Sequence, residues 1–185
     1  DLETTGLSAV NNRIIEIGAV KVEQGKITER FSTFVNPQEP IPFEIEQLTS
    51  ISDEMVLDAP VIEDVLPEFL KFCEGCVLIA HNASFDAGFI EENCRRMGIE
   101  TDFTVGDTVS MARLLLPNLS KFKLDNVAKA LNIPLHHHHR AVDDAACTAD
   151  IFVKFLEMFR ARDINTLDEV NGLGKANTAA VKKLP

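Results

Sequence analysis

The chain has 185 residues, of which 45% are hydrophobic and 25% charged, and its formal net charge is −11. That length suits one compact α/β domain and is short of two. The sequence contains neither an apolar run near the roughly 20 residues of a bilayer span nor a secretory leader, so we expect a cytoplasmic protein without a membrane partner. The acidic charge argues against a protein that grips duplex nucleic acid through a basic face.

The first part of the chain predicts a short strand followed by a hairpin. Asp1–Gly6 is typical of a strand that runs into a glycine turn, and we expect the start of that strand to lie before residue 1. Arg13–Val22 is almost continuously apolar, as in an interior strand. The chain turns at Gln24-Gly25-Lys26 and returns along Ile27–Val35 as an antiparallel strand. The proline-rich and acidic stretch Asn36–Ala59 is predicted to be mostly irregular.

Helices and short strands alternate through the remainder. We predict helices from Pro60 to Cys73 with Gly75 ending the first, from Ser84 as an N-cap, and at Thr108–Leu116, Leu124–Leu131 and Asp143–Arg160, with strands at Cys76–Ala80 and Phe103–Asp107. A hairpin followed by such alternation predicts a mixed sheet with helices on its faces. We place one domain at 1–161 and a polar connector at 162–185.

Cys73 and Cys76 form a CxxC pair, which could indicate a redox pair or half of a zinc site. No second CxxC or nearby Cys/His pair completes a zinc site in the sequence. Cys73 falls on the apolar stripe of a predicted helix, and Cys76 opens an apolar strand. We therefore favour ordinary buried thiols for these residues.

Acidic residues at three separate places could meet in one site. Asp1 and Glu3 are two apart on a strand, so their side chains share a face with Cα atoms about 6.5–7 Å apart. A divalent cation between two such carboxylates relieves their repulsion, although solvated edge acids are the simpler interpretation. Asp86 falls in the first turn of a predicted helix, where an acid also simply complements the helix dipole.

His139 and Asp144 add a third segment. Five residues apart on one helix, they would point about 140° away from each other. They converge only if His139 precedes the helix and Asp144 lies in its first turn. An ordinary helical pair of His139 with Asp143 remains an alternative, and so does a histidine-rich metal site along His136–His139.

Taken together, these segments resemble the DEDDh exonucleases of the ribonuclease H-like superfamily. The resemblance is carried by DLETTGL at Asp1–Leu7, HNASFD at His81–Asp86 and HRAVDDA at His139–Ala145, with smaller matches at IIEIGAV (Ile14–Val20), LTSI (Leu48–Ile51) and DTVSMARLLLP (Asp107–Pro117). It spans about residues 1–160 in the correct order and spacing. Within the family, the sequence is most similar to the exonuclease domain inserted in bacterial C-type replicative polymerases and is also similar to the proofreading epsilon subunit.

The resemblance implies a fold, an activity and a set of site residues. The fold is α/β and ribonuclease H-like, with a central five-stranded mixed sheet flanked by helices. The activity is metal-dependent 3′→5′ hydrolysis of a single-stranded or frayed DNA 3′ end, with polymerase domains of the same chain as partners. Two divalent cations, Mg²⁺ or Mn²⁺, are implied as cofactors. The implied catalytic residues are Asp1, Glu3, Asp86, His139 and Asp144, of which the four acids are the metal ligands and the histidine accepts a proton from water.

The same resemblance suggests contacts to the terminal nucleotide. The backbone along Thr4, Thr5, Gly6 and Leu7 is expected to meet it, with Leu7 against the base and Glu44 and Thr49 near the sugar. Three other functions are weighed against proofreading: a stand-alone DEDDh RNase or oligonucleotide exonuclease, a non-catalytic docking module that keeps the fold, and a Cys73/Cys76 redox protein. All five catalytic positions are intact, which argues against the docking module.

Overall fold

The computed structural model describes residues 1–134, 140–173 and 181–183. The strands are β1 (Leu2–Thr4), β2 (Ile14–Glu23), β3 (Lys26–Phe34), β4 (Leu78–Ala80), β5 (Thr104–Asp107) and β6 (Val181–Lys183). The helices are α1 (Phe43–Thr49), α2 (Asp53–Val56), α3 (Ile62–Phe72), α4 (Ser84–Met97), α5 (Thr108–Leu115), α6 (Leu124–Ala130), α7 (Ala141–Arg160) and α8 (Leu167–Leu173). The α/β class is confirmed.

Among the described residues the strands form two three-stranded sheets instead of one five-stranded sheet. One has the order β1-β2-β3 and is antiparallel; the other has the order β4-β5-β6, with β4 and β5 parallel. Within the described residues, the three-residue β1 has its ladder with β2, and no ladder joins it to β4. The continuity of the expected sheet is therefore interrupted between β1 and β4.

The predicted hairpin is confirmed, and its turn explains its register. Gln24 and Gly25 both have positive φ, 52° and 78°, and they connect the paired residues Glu23 and Lys26. Two left-handed residues between paired strand ends are the signature of the tight turn that matches strand twist. Gly25 takes this conformation without a Cβ penalty.

Two segments contain elements that the sequence did not predict. Asn36–Ala59 is mostly irregular, as expected, but α1 and α2 lie within it, and their inward side chains cover Ile15 and Ile51 in a small core of their own. The segment 162–185, predicted as a connector, contains α8 and β6, and the buried Val170 packs with the main helical core. The domain boundary at 161 stays a prediction.

Two larger cores hold the molecule together. One lies under the antiparallel sheet, where Leu2, Ile14 and Ile17 pack against Phe69 of α3 and Phe89 of α4. The other is formed by α5, α6, α7 and α8 around the fully buried Phe155. α7 therefore has its C-terminal part in the helical core and its first turns over β2. The side chains of those first turns are the ones that matter for the site.

Candidate metal centre

Asp1 and Glu3 are held at the edge of the antiparallel sheet. The ladder of β1 extends to Asp1, whose terminal amine donates to Gly18 O at 2.9 Å and whose carbonyl accepts from Gly18 N at 3.0 Å. Leu2, between them, is buried in the core. Because strand side chains alternate, Asp1 and Glu3 both turn to the opposite face. The expected shared face is confirmed.

Asp144 reaches the same place from α7. One carboxylate oxygen each from Asp1, Glu3 and Asp144 lie within 4.8 Å of one another. Asp144 is in the first turn of α7 and is buried, with 7% of its surface exposed. Its neighbour Asp143, the alternative from the sequence, is outside this group in the described part of the chain. We call Asp1, Glu3 and Asp144 the three-acid group.

Asp86 lies beside the three-acid group without belonging to it. It sits in the first turn of α4, and its carboxylate accepts hydrogen bonds from its own amide and that of Leu2. Burial raises the pKa of Asp86, while the hydrogen bonds from the two amides lower it. Its charge also acts on Glu3. This placement suits an acid that supports a second position next to the first.

The electrostatics of the group favour a bound cation. Burial raises the pKa of Glu3 to about 7, and the charges of Asp144, Glu16 and Asp86 add to the shift. Carboxylates that resist ionisation together are relieved by a divalent ion. Carboxylate oxygens are also the hard ligands that Mg²⁺ and Mn²⁺ take. The residues present therefore fit a divalent metal.

His139 lies outside the described residues, together with 135–138. The described chain resumes at Arg140, and α7 begins at Ala141 with Asp144 in its first turn. The sequence argument required Asp144 in a first turn and a histidine that precedes the helix. The first requirement is met by the structure, and the role of His139 stays a prediction.

The loop after β1 uses most of its polar groups internally. The Thr4 hydroxyl donates to Gly6 O at 2.7 Å, and the Thr5 hydroxyl donates to Glu39 Oε1 at 3.1 Å. The Thr5 amide donates to Arg13 O at 2.8 Å, so this amide is not presented to a nucleotide. Leu7, in contrast, is 88% exposed. Of the predicted nucleotide contacts here, an exposed Leu7 is the one whose geometry suits a base.

Glu44 and Thr49 lie at opposite ends of α1 and differ in exposure. Glu44 is exposed, whereas Thr49 is 2% exposed. The Thr49 hydroxyl donates to Ile45 O at 2.9 Å and accepts from Ile51 N at 3.1 Å. This buried hydroxyl makes both of its hydrogen bonds within the chain and so stabilises the end of α1. The predicted place of Thr49 near the sugar stays a prediction.

Sequence reasoning missed three residues that hold the acid-bearing helices. Glu16 on β2 accepts hydrogen bonds from Arg140 and Ala141, at the start of α7. Asp107 at the end of β5 accepts from the amides of Asn82 and Ala83, just before α4. The sequence did carry a signal for Glu16, a lone glutamate in an apolar strand, and for Asp107, an aspartate where a strand turns into a helix. A carboxylate in such a place requires hydrogen-bond partners.

Asp107 also corrects the predicted cap of α4. Ser84 is the first residue of α4 instead of its N-cap, and Ala83 at the cap position has no side-chain acceptor. Asp107 supplies that acceptor from the neighbouring strand and at the same time caps α5 through Val109 and Ser110. The cap is tertiary, so a local pattern could not reveal it.

A cavity of about 510 Å³ runs between β2 and β4, with Asp1 and Asp86 in its lining. The rest of its lining is mostly apolar and includes Phe69, Phe72 and Phe152. None of the predicted nucleotide contacts from Thr4 to Leu7, nor Glu44 or Thr49, belongs to that lining. We therefore do not assign the terminal nucleotide to this cavity.

The cysteines carry no sign of redox chemistry. All four are free; Cys73, Cys94 and Cys147 are buried, and Cys76 is exposed, contrary to the expectation for Cys76. Burial raises the pKa of the Cys73 thiol to about 12, so it stays protonated and unreactive. A thiolate pair is therefore not favoured here.

The family assignment follows from comparison with known proteins. The family model described as Exonuclease matches residues 1–152. The chain belongs to the exonuclease family. It is therefore a nuclease domain of the hydrolase class.

Relatives among replicative polymerases share about half of its residues. "DNA polymerase III PolC-type" of Caldanaerobacter subterraneus subsp. tengcongensis is 49% identical over 185 residues, which are 100% of this chain and 13% of that protein. The protein of the same description from Clostridium perfringens is 50% identical over 189 residues, again 100% and 13%. The exonuclease domain thus spans about an eighth of the length of these curated relatives.

Solved structures agree with the fold. Exonuclease X, in complex with 5′ overhanging duplex DNA, is 30% identical with a TM-score of 0.71, and the alignment covers 97% of this chain and 95% of that one. Exonuclease I matches with a TM-score of 0.78 at 15% identity, covering 92% and 42%. The ribonuclease H-like fold is therefore confirmed. No helix among the described residues has the length and apolarity to cross a bilayer.

Proposed function

We propose that this exonuclease domain removes 5′-mononucleotides from DNA 3′ ends by two-metal-ion hydrolysis, as the proofreading module of a replicative polymerase. The observation that carries the proposal is the meeting of Asp1, Glu3 and Asp144 oxygens within 4.8 Å, from segments far apart in sequence. The identity to PolC-type polymerases over the whole chain supports the polymerase context. On the same ground we propose a cytoplasmic location and polymerase domains in the same polypeptide.

The position of each acid suggests which of the two cations it would hold. Asp1 would contact both cations, Glu3 and Asp144 would complete the shell of one, and Asp86 would support the other, through water. When bound, such a pair lowers the pKa of a water and stabilises charge on the leaving 3′ oxygen. His139 would accept the water's proton, since histidine is the side chain that can act as a base near neutral pH. Leu7, 88% exposed, packs against the terminal base.

The charge of the protein argues for a frayed or single-stranded end as substrate. With a net charge of −11, the domain has little electrostatic attraction for a duplex backbone. A matched terminus must unpair before it enters the site, which slows its cleavage. A mismatched 3′ end is already unpaired, and so it is the substrate that the domain selects.

Digestion of paired primers tests the proposal. A 3′-mismatched and a matched DNA primer, and an RNA primer of the same sequence, are incubated with Mg²⁺, Mn²⁺ or a chelator, and the products are identified. We expect 5′-mononucleotides, a preference for the mismatched DNA and no cleavage in chelator. Asp144→Ala should remove most activity, whereas Asp143→Ala, its matched neighbour, should retain it. Faster cleavage of RNA than of DNA would instead favour a stand-alone RNase.

The position of the general base is tested separately. His139→Ala should lose most of the rate and its rise with pH, while replacement of His136, His137 and His138 together should cost far less. The rate is measured against pH at saturating Mn²⁺ for both variants. A dead triple variant beside an active His139→Ala variant would show that the catalytic histidine had been misplaced.

A further inference from the structure

The first turn of α7 lies directly on β2, at Gly18. A Cβ added to Gly18 would come within 2.1 Å of both the Ala141 carbonyl carbon and the Val142 amide nitrogen. Real Cβ atoms do not approach backbone atoms so closely, so this contact requires glycine. The backbone of the helix thus rests against the backbone of the strand, and the distance between them is fixed.

Glu16, two residues before Gly18 on β2, holds the same turn by hydrogen bonds. Its Oε1 accepts from Arg140 Nη2 at 2.9 Å and Nε at 3.2 Å, and its Oε2 accepts from the Ala141 amide at 3.1 Å. Glu16 is 1% exposed, whereas the Arg140 side chain is 42% exposed and lies over the ring of Phe34. Both carboxylate oxygens are therefore used, and the charge is compensated by arginine and by the helix N-terminus.

The same strand that receives α7 also carries β1. Glu16 pairs with Glu3 across the β1–β2 ladder. β2 therefore fixes Asp1 and Glu3 through its ladder with β1 and fixes the start of α7 through Glu16 and Gly18. Asp144 follows Ala141 by three residues, within the first turn so fixed.

We propose that Glu16 and Gly18 form a seat for α7 that sets the position of Asp144 against Asp1 and Glu3. Glu16 is in this view a positioning residue, although it is an acid next to the metal centre. It is outside the three-acid group, and its two oxygens bind Arg140 and Ala141. The inference rests on the proposed function, since it assigns a role in a metal centre.

A double-mutant cycle on metal binding tests the proposal. Mn²⁺ is titrated into the wild-type chain, Glu16→Gln, Asp144→Ala and the double variant, at one pH and without substrate. Tb³⁺ is titrated in parallel, because its higher charge keeps weakened sites measurable. Outer partners of metal ligands typically contribute 10–100-fold in affinity. We expect Glu16→Gln to weaken binding by about that factor in the wild-type chain and to add no loss in the Asp144→Ala background.

Comparing the wild-type and Asp144→Ala backgrounds separates an effect of Glu16 on the position of Asp144 from an effect of the Glu16 charge on the metal. Removing a negative charge near the metal weakens binding whether or not Asp144 is present, whereas a role through Asp144 disappears with it. Equal losses in both backgrounds would overturn the proposal. So would unchanged affinity in Glu16→Gln while the wild type binds Mn²⁺. Absence of Mn²⁺ binding by the wild type would instead overturn the proposed function, and this inference with it.

Two further variants serve as controls, one for the loss of a surface charge and one for a Glu16→Gln variant that does not fold. Glu29→Gln removes the partner of Lys21 in a surface ion pair on the same hairpin, at 3.2 Å, and should leave metal affinity unchanged. Arg140→Lys keeps the positive charge but loses the forked contact to Glu16, so it should weaken Mn²⁺ binding less than Glu16→Gln does. If Glu16→Gln fails to give a cooperative melt, Arg140→Lys decides, and wild-type affinity in that variant counts against the seat.

Discussion

The two helices that bring acids to β1 begin on different supports. α7 starts with its backbone against Gly18 and with an ion pair between the buried Glu16 and the partly exposed Arg140, 2.9 Å long. α4 starts under Asp107, a half-buried side chain that accepts from the Asn82 and Ala83 amides at 3.0 and 3.3 Å. A contact between two backbones fixes the position of the helix, whereas a side chain that accepts hydrogen bonds can change its rotamer and let the helix move. The acid of α7 belongs to the three-acid group and that of α4 does not, so the stiffer support carries the closer ligand.

The largest expected effect comes from breaking the support of α7. Gly18→Ala places a methyl group where the backbone of Ala141 and Val142 lies, at 2.1 Å. We expect the free energy of unfolding to fall by about 3 kcal/mol or more, with metal affinity lost, since α7 must move off β2. Urea unfolding in chelator measures the first quantity, and Mn²⁺ titration the second. A loss below about 0.5 kcal/mol would contradict the close contact.

Removing the support of α4 should have a smaller effect. Asp107→Ala deletes the acceptor for two amides before α4 and for Val109 and Ser110 at the start of α5. Lost caps of this kind cost about 2 kcal/mol. We expect that loss in urea unfolding, with Mn²⁺ still bound by the three-acid group. The exposed Asp58, changed to alanine, serves as the control and should shift stability by no more than about 0.5 kcal/mol.

The pH dependence of the metal-free protein tests the crowding of the acids. Burial raises the pKa of Glu3 from 4.5 to about 7, so the unfolded chain releases this proton at lower pH than the folded chain. Between these two values the folded state binds more protons, and stability from this group therefore falls as pH rises from about 4.5 to 7. Glu3→Gln should flatten that fall in urea unfolding with chelator. Parallel curves for the two proteins would show that Glu3 titrates normally.

The smallest effect is a stabilisation on the side of α4. Gly88 lies in α4 two residues after Asp86, and an added Cβ would meet nothing within 4 Å. Gly88→Ala should therefore raise the free energy of unfolding by about 0.5–1 kcal/mol, because alanine loses less backbone entropy in a helix. Thermal and urea unfolding measure it, with Mn²⁺ affinity expected to stay unchanged. Destabilisation at Gly88 similar to that at Gly18 would erase the contrast between the two helices.

Local patterns predicted most elements because each has its own signal. The apolar run at Arg13–Val22, the Gln24-Gly25 turn and the periodic helix to Arg160 gave the hairpin and α7 within about two residues of their observed ends. The stretch Asn36–Ala59 is mostly irregular, as predicted, but the prediction missed α1 and α2 because they are short, with seven and four residues. Helices of that length owe their stability to packing on Ile15 and Ile51, which no local window contains.

The residues of the site likewise fall into those that the sequence could predict and those that it could not. Motif spacing in the sequence selected Asp1, Glu3, Asp86 and Asp144, and it selected Asp144 over Asp143 through the family pattern. It could not assign Glu16, Asp107 or Arg140, because the partners that join them to the acid-bearing helices or to β2 are 24 to 125 residues away. It also placed Thr49 near the sugar, which stays a prediction, while packing turns the Thr49 hydroxyl toward Ile45 and Ile51.

By itself, then, the sequence determined which side chains can do chemistry and which segments are strands or helices, since both depend on residue type and local spacing. The tertiary structure decided how close the carboxylates come, because that distance depends on where β2 receives α7 and where β5 receives α4. The pKa of Glu3 is raised by burial and by the charges of Asp144, Glu16 and Asp86, so it also depends on the tertiary structure. Burial and charge proximity are properties of the packed chain, and no short stretch of sequence contains them.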